Sequence, residues 1–319
     1  MKISPRLFLS AVCAASLGFA ASAFAGTVTY KSEYKGSKNK NPIECPPDAL
    51  TLFRTSVDYV GQSDLKRGDG RQDALHYGFE AGQRIPLEGL FGGWPNKECG
   101  KWYLRLGADY ERFDFDTSNE TRLPNTLQSV AGVIALEYLV KGEVGILIET
   151  RPGIYFEHNI NDDTFDAPTT IALAYPIFGG DRFYLIVGAA GALMWSPNVI
   201  PVVGALWHIN DQWDLKAYLP EPRLVYKPSE TLQFWVGGEL AGGGFKTDRR
   251  NVNPDKLSGA VVTYTDIRAG AGITCVFKPF TVDLGVGASL QREFDYNRAG
   301  ERFRTDPAPY AKLTVKAEF

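Results

Sequence analysis

Three histidines, His76, His158 and His208, are the side chains best suited to metal binding or proton transfer near neutral pH. They are scattered, and no pair has ligand spacing such as His-x-x-x-His, so the sequence predicts no zinc site. A serine hydrolase needs a nucleophile held beside a base, and no Gly-x-Ser-x-Gly occurs to supply one. Gly242-Gly243-Gly244 follows a strand-like run, but neither a Lys-Ser/Thr pair nor a helix pattern comes after it, which excludes a phosphate loop. Asn161, Asp162, Asp163 and Asp166 carry the oxygens that calcium takes, although a solvated acidic loop is the expected account of them. These patterns predict no enzyme, no metal site and no cofactor.

Charge at every second position is the stronger signal. In Phe280 to Glu293, the residues Phe280, Val282, Leu284, Val286, Ala288 and Leu290 alternate with Thr281, Asp283, Gly285, Gly287, Ser289 and Gln291. The last residues repeat the pattern, with Leu313, Val315, Ala317 and Phe319 against Lys312, Thr314, Lys316 and Glu318. Trp102 to Glu111, Leu75 to Arg84, Ile146 to Phe156 and Leu232 to Leu240 alternate in the same way. Period two means strands with one apolar and one polar face. The composition agrees, since 33 glycines and 13% aromatic residues suit strands and turns better than helices. A formal net charge of -3 argues against a nucleic-acid partner. The runs are mostly about 10 to 15 residues long, whereas strands of soluble sandwiches average about five or six. A tilted strand crosses a bilayer in about 9 to 11 residues, so these lengths place the apolar face against lipid and the charged face in a lumen.

Residues 1–25 read as a secretory signal peptide, with Lys2 and Arg6, an apolar stretch from Leu7 to Ala21, and Ala23-Phe24-Ala25 as the cleavage site. An export signal, alternating strands and a terminal strand ending in Phe319 together resemble a bacterial outer-membrane β-barrel protein, most like the uncharacterised barrel families of unknown function. The resemblance covers roughly residues 50–319. It implies an all-β fold, a transmembrane antiparallel up-and-down barrel in the outer membrane. It also implies that Leu313, Val315, Ala317 and Phe319 are the signal read by the barrel-insertion machinery, and that outer-membrane lipids and lipopolysaccharide are the surroundings.

Such barrels have even strand numbers, with short turns on the periplasmic side and longer loops outside. Tight turns are expected at 140–143, 179–182, 210–212, 228–230 and 278–279, and long connections near 62–72, 116–126, 158–168, 244–259 and 295–308. Parity closes only if Leu219-Pro220-Glu221-Pro222 is a bend, because two prolines cannot donate to a ladder. The count is then fourteen, or twelve if the short strands flanking that bend are lost, with both termini periplasmic. The charge-free run from Phe183 to Trp207 is long enough for a helical span, but Ser196-Pro197-Asn198 divides it into two strands. Residues 26–50 lack periodicity and form a periplasmic N-terminal segment or a plug of the barrel mouth, leaving 51–319 as the barrel. Parity puts Cys45 and Cys99 on the same side, so a disulfide between them is expected, while Cys275 faces lipid.

The candidate lumen residues are Arg54, Asp58, Glu80, Arg84, Arg105, Asp109, Glu111, Glu149, Arg151, Lys216, Glu239, Asp266, Arg268, Asp283, Lys312 and Lys316. An Arg or Lys facing lipid at the midplane would cost about 2–4 kcal/mol, so these should point inward. About eight strands leave a filled interior and sixteen or more an open channel, so fourteen is intermediate. The expected function is a passive channel or transporter for small solutes. The alternative is a non-conducting structural or surface-interaction barrel with a salt-bridged lumen, using Lys246, Arg249, Arg250, Arg298, Arg302 and Arg304 in its loops.

Overall fold

The structure, a computed structural model, describes residues 50–66, 70–87, 101–118, 120, 122–139, 144–177, 182–250, 255–296 and 298–319. Its strands are β1 (Thr51–Asp64), β2 (Arg71–Pro86), β3 (Lys101–Ser118), β4 (Thr126–Leu139), β5 (Gly145–Thr150), β6 (Gly153–Phe156), β7 (Phe165–Asp166), β8 (Thr169–Pro176) and β9 (Phe183–Gly191). They continue with β10 (Val199–His208), β11 (Trp213–Ala217), β12 (Arg223–Tyr226), β13 (Leu232–Lys246), β14 (Val261–Phe277), β15 (Phe280–Tyr296), β16 (Glu301–Arg304) and β17 (Ala308–Glu318). Segments β5 and β6, β7 and β8, and β16 and β17 are each one barrel strand interrupted by a kink, so the wall has fourteen strands. Each strand pairs antiparallel with its neighbour, and β1 closes on β17 from Leu52 opposite Glu318 to Val60 opposite Tyr310. The Phe183–Trp207 run is the pair β9 and β10, joined across Ser196-Pro197-Asn198, and is not a helix.

Alternation sets the two faces. On β1, Phe53, Val57 and Tyr59 are exposed, while Ser56, Asp58 and Val60 are buried. Phe79, Val130, Ile134, Ile171, Val203, Val236, Leu284 and Leu313 extend this outward apolar girdle. On the inner side, Gly272 and Gly285 make room for Trp235, because a Cβ at Gly272 would lie 2.4 Å from the indole.

The wall is uneven in height. Strands β1–β3 and β13–β15 run 14 to 18 residues, whereas β8, β9 and β10 have 8, 9 and 10 and β11 and β12 only 5 and 4. The bend at 218–222 follows β11 and leans on the tall neighbour, with Gly238 N donating to Pro222 O at 2.8 Å and Leu240 N to Pro220 O at 2.8 Å. Above the short wall, the strands that flank it meet directly. Phe156 on β6 bridges Lys246 on β13, and Glu157 N donates to Lys246 O at 3.0 Å.

This narrowed tier lies away from the end where Leu50 N meets Phe319 O at 2.7 Å, and aromatic rings fill it. Tyr264 stands 5.1 Å from Phe113, 5.0 Å from Phe115 and 5.0 Å from Phe294, with Phe245 at 6.1 Å from Phe113. All five are buried. The loops above interlock: Asn159 Nδ2 donates to Asp248 Oδ2 at 2.9 Å, Arg250 Nη1 to Leu123 O at 3.0 Å and Tyr296 OH to Arg122 O at 3.2 Å.

Candidate functional site

Below the aromatic tier, the inward positions of the tall strands carry charge. Arg105, on β3, stands at the centre of one group. Its Nε lies 2.8 Å from Glu137 Oε1, its Nη1 donates to Glu80 Oε1 at 2.8 Å, and its Nη2 bonds Glu149. Arg84 Nε donates to Glu137 Oε2 at 2.9 Å. Arg151, at the kink between β5 and β6, donates to Glu149 Oε1 at 2.8 Å and reaches Asp109 Oδ1 at 3.3 Å and Glu80 Oε2 at 3.5 Å. Charged groups taken out of water in this way are stable only when paired, which explains why the sites interdigitate in sign.

A second group surrounds Arg268 on β14. It meets Asp58 Oδ1 at 2.7 Å, Asp266 Oδ2 at 2.7 Å and Glu239 Oε1 at 3.7 Å, and Ser289 Oγ donates to Asp266 at 2.6 Å. His76 Nδ1 lies 2.6 Å from Asp58 Oδ2. Lys312 Nζ bonds Glu239 Oε1 at 2.6 Å and lies 3.4 Å from Glu221 Oε1. Glu221, from the proline bend, also takes Arg54 at 3.5 Å and Arg223 at 3.4 Å. Arg223 continues to Asp283 Oδ2 at 2.9 Å, where Trp235 Nε1 and Thr274 Oγ1 donate to Oδ1 at 2.7 Å each.

Between the two groups lies a chamber of about 60 Å³. Its lining includes Arg54, Ser56, His76, Glu80, Asp109, Glu111, Phe113, Arg151, Glu221, Glu239 and Lys312. Phe113, stacked on His76 at 4.2 Å, separates it from the aromatic tier. Allowing about 15 Å³ for each water, the chamber has room for about four. His76 Nε2 and Asp109 Oδ2 accept or donate no hydrogen bond there. Among the described residues, no serine or threonine hydroxyl is paired with His76.

All sixteen of the expected lumen positions fall on the inward parity of their strands, but they do not act alike. Arg84, Arg105, Glu80, Asp109, Glu149 and Arg151 come together, as do Arg54, Asp58, Glu239, Asp266, Arg268 and Lys312. Asp283 pairs with Arg223. Glu111, Lys216 and Lys316 form no ion pair among the described residues.

Four participants are additional to that set. Glu137 shares the inward parity of β4 with Ala131, Val133 and Ala135, so alternation could have found it. Arg223 on β12 and Glu221 in the bend belong to segments too short for a periodicity signal, and His76 acquires its role only through Asp58 across the strand pair.

Other candidates resolve differently. Asp163 pairs with Lys246 at 2.6 Å, while Asp166 turns inward to accept from Leu193 N at 2.9 Å and Met194 N at 3.0 Å, so the acidic loop residues serve separate partners. No group of histidine, cysteine and carboxylate side chains able to hold a metal ion occurs among the described residues. Arg250 pairs with Glu157, Arg304 with Glu293, and Arg302 with Glu293 and Asp295, which engages much of the basic loop charge internally. Phe319 packs edge-on against Phe53 at 6.3 Å and Phe280 at 6.2 Å. Cys275 is a free thiol on the outward parity of β14, and Cys45, Cys99 and residues 26–49 lie outside the described residues.

No family model and no curated protein matches the chain. Among solved structures it is similar to an outer membrane channel from Pseudomonas putida F1, at 11% identity over 89% of this chain and 100% of that one, with a TM-score of 0.46. It is also similar to the Pseudomonas putida toluene transporter TodX, at 10% identity over 86% and 90%, with a TM-score of 0.43. The transport unit of the autotransporter AIDA-I from Escherichia coli aligns at 12% identity over 94% and 98%, with a TM-score of 0.38. A closed antiparallel barrel of fourteen strands with an outward apolar girdle is the fold of a bacterial outer-membrane β-barrel protein.

Proposed function

We propose that this barrel sits in the bacterial outer membrane with both termini in the periplasm and transports small polar solutes through a lumen that is closed at rest. The observation that carries this reading is the chamber midway along the barrel, lined by charges of both signs and by polar atoms without partners. A barrel that served only as a wall would lose little by filling this volume with apolar side chains, since replacing buried ion pairs by well-packed hydrophobes is often neutral or stabilising. The ring-filled outer tier and the ion-paired layer argue against a permanently open pore. Glu318 and Phe319 stand at the periplasmic end in this orientation, and the terminal strand is the one the insertion machinery would read.

A non-conducting structural barrel is favoured by one observation of its own, the dense pairing of Arg105 and Arg268. Flux from liposomes decides between the readings. The folded barrel should release solutes of about four to six heavy atoms slowly and retain a trisaccharide, with Phe115→Ala raising the small-solute rate several-fold. Absence of release from both wild type and variant, with heat-modifiable migration confirming folded barrels, would leave the structural reading.

A further inference from the structure

The chamber's hydrogen-bonding balance is one-sided. Its cations each meet carboxylates: Arg151 meets Glu149, Asp109 and Glu80, Lys312 meets Glu239 and Glu221, and Arg54 leans on Glu221. Arg105, Arg268 and Arg223, standing behind the lining, share Glu80, Glu239 and Glu221. Glu111 has no hydrogen-bond or ion-pair partner among the described residues. Two places along the same inward face of β3, Asp109 Oδ2 is also without a partner, although Asp109 is buried.

The facing strand adds a third acceptor. Register sets His76 opposite Phe113, Gly78 opposite Glu111 and Glu80 opposite Asp109. Asp58 is held by Arg268 as a carboxylate and only accepts, so the proton in the 2.6 Å contact sits on His76 Nδ1. With that proton on Nδ1, Nε2 is the ring nitrogen left to accept from a donor in the chamber; it has no hydrogen-bond partner, and His76 is more than nine-tenths buried. Gly78 leaves the space between these groups open; a Cβ there would lie 3.2 Å from Ser56 Oγ and 3.7 Å from Glu111 Cγ.

We propose that Glu111, Asp109 and His76 form a binding site for a small organic cation, an ammonium or guanidinium group that donates to all three. The donor sets are too dispersed for a metal ion. A planar guanidinium has four heavy atoms, which matches the room for about four waters, and its N–H groups point outward around the plane so that one cation can serve several acceptors. Phe113 supplies an aromatic boundary to the same space. This inference rests on the reading of the chamber as a solute site, and it names the class of solute.

Guanidinium, urea and acetate separate the charge from the shape. Titrated calorimetrically into the folded barrel in detergent micelles, guanidinium should bind at least about tenfold more tightly than urea, its neutral isostere, and acetate should not bind measurably. Glu111→Gln removes no ion pair, so it should fold normally and reduce that preference to about twofold or less. Asp109→Asn should reduce it less, because Arg151 holds its other oxygen. Equal affinity for urea and guanidinium, preference for acetate, or an unchanged preference in Glu111→Gln would overturn the proposal. Liposome flux keeps the two ideas apart: binding without flux leaves the site standing and removes transport, whereas flux without cation preference does the reverse.

Discussion

The two sides of this barrel solve the same burial problem in opposite ways. On the tall wall, strands β1–β4 and β13–β17 present Asp58, His76, Arg105, Glu137, Asp266, Arg268 and Lys312 inward and stabilise them through shared ion pairs. On the short wall, β8–β10 present Ala172, Ala174, Ile186, Ala190, Ile200, Val202 and Leu206 inward, and Ile171, Leu173, Val187 and Val203 outward. One wall holds a costly, mutually dependent network, and the other holds interchangeable apolar contacts. Damage should therefore spread on the first and stay local on the second.

Removing a central cation should have the largest effect. Arg268→Met leaves Asp58, Asp266 and Glu239 short of their common partner and should cost about 3–5 kcal/mol of barrel stability, measured by urea unfolding from lipid vesicles. A loss under about 1 kcal/mol would mean that water already shares the network, erasing the contrast between the walls. On the lipid face of the short wall, Val203→Arg should cost about 2–4 kcal/mol in the same assay, and a neutral outcome would show that β10 does not face the bilayer. Inside that wall, Ile186→Val should cost about 0.5–1.5 kcal/mol and leave solute flux unchanged, because nothing else depends on the lost methylene. The smallest change is expected at the loop pair Lys246–Asp163, where Asp163 is exposed; Lys246→Ala should cost less than about 1 kcal/mol and lose even that in high salt.

The same contrast explains what was legible in the sequence. Alternation marks a strand only when its two faces differ, so β2, β3, β13, β15 and β17 stand out, and their lumen charges follow from parity. The short wall is apolar on both faces, so Phe183 to Trp207 reads as an undivided run, and only Ser196-Pro197-Asn198 separates β9 from β10. Glu221 illustrates a different gap. Its two prolines announce a bend, but only the three-dimensional path brings its carboxylate between Arg54, Arg223 and Lys312. The aromatic tier was equally hidden, since Phe113, Phe245, Tyr264 and Phe294 come from four strands and meet only because β6 contacts β13 above the short wall.

That tier and the charged layer beneath it make the central claim, a lumen closed at rest, directly measurable. Single-channel recording of the folded barrel in a planar bilayer is the most direct test. The account predicts no sustained porin-sized steps from the wild type and discrete steps from Phe113→Ala combined with Phe115→Ala, which together remove the floor and middle of the ring stack. Large, persistent steps from the wild type would contradict it, because they would require an open axial path through the buried rings of Phe113, Phe115, Tyr264 and Phe294.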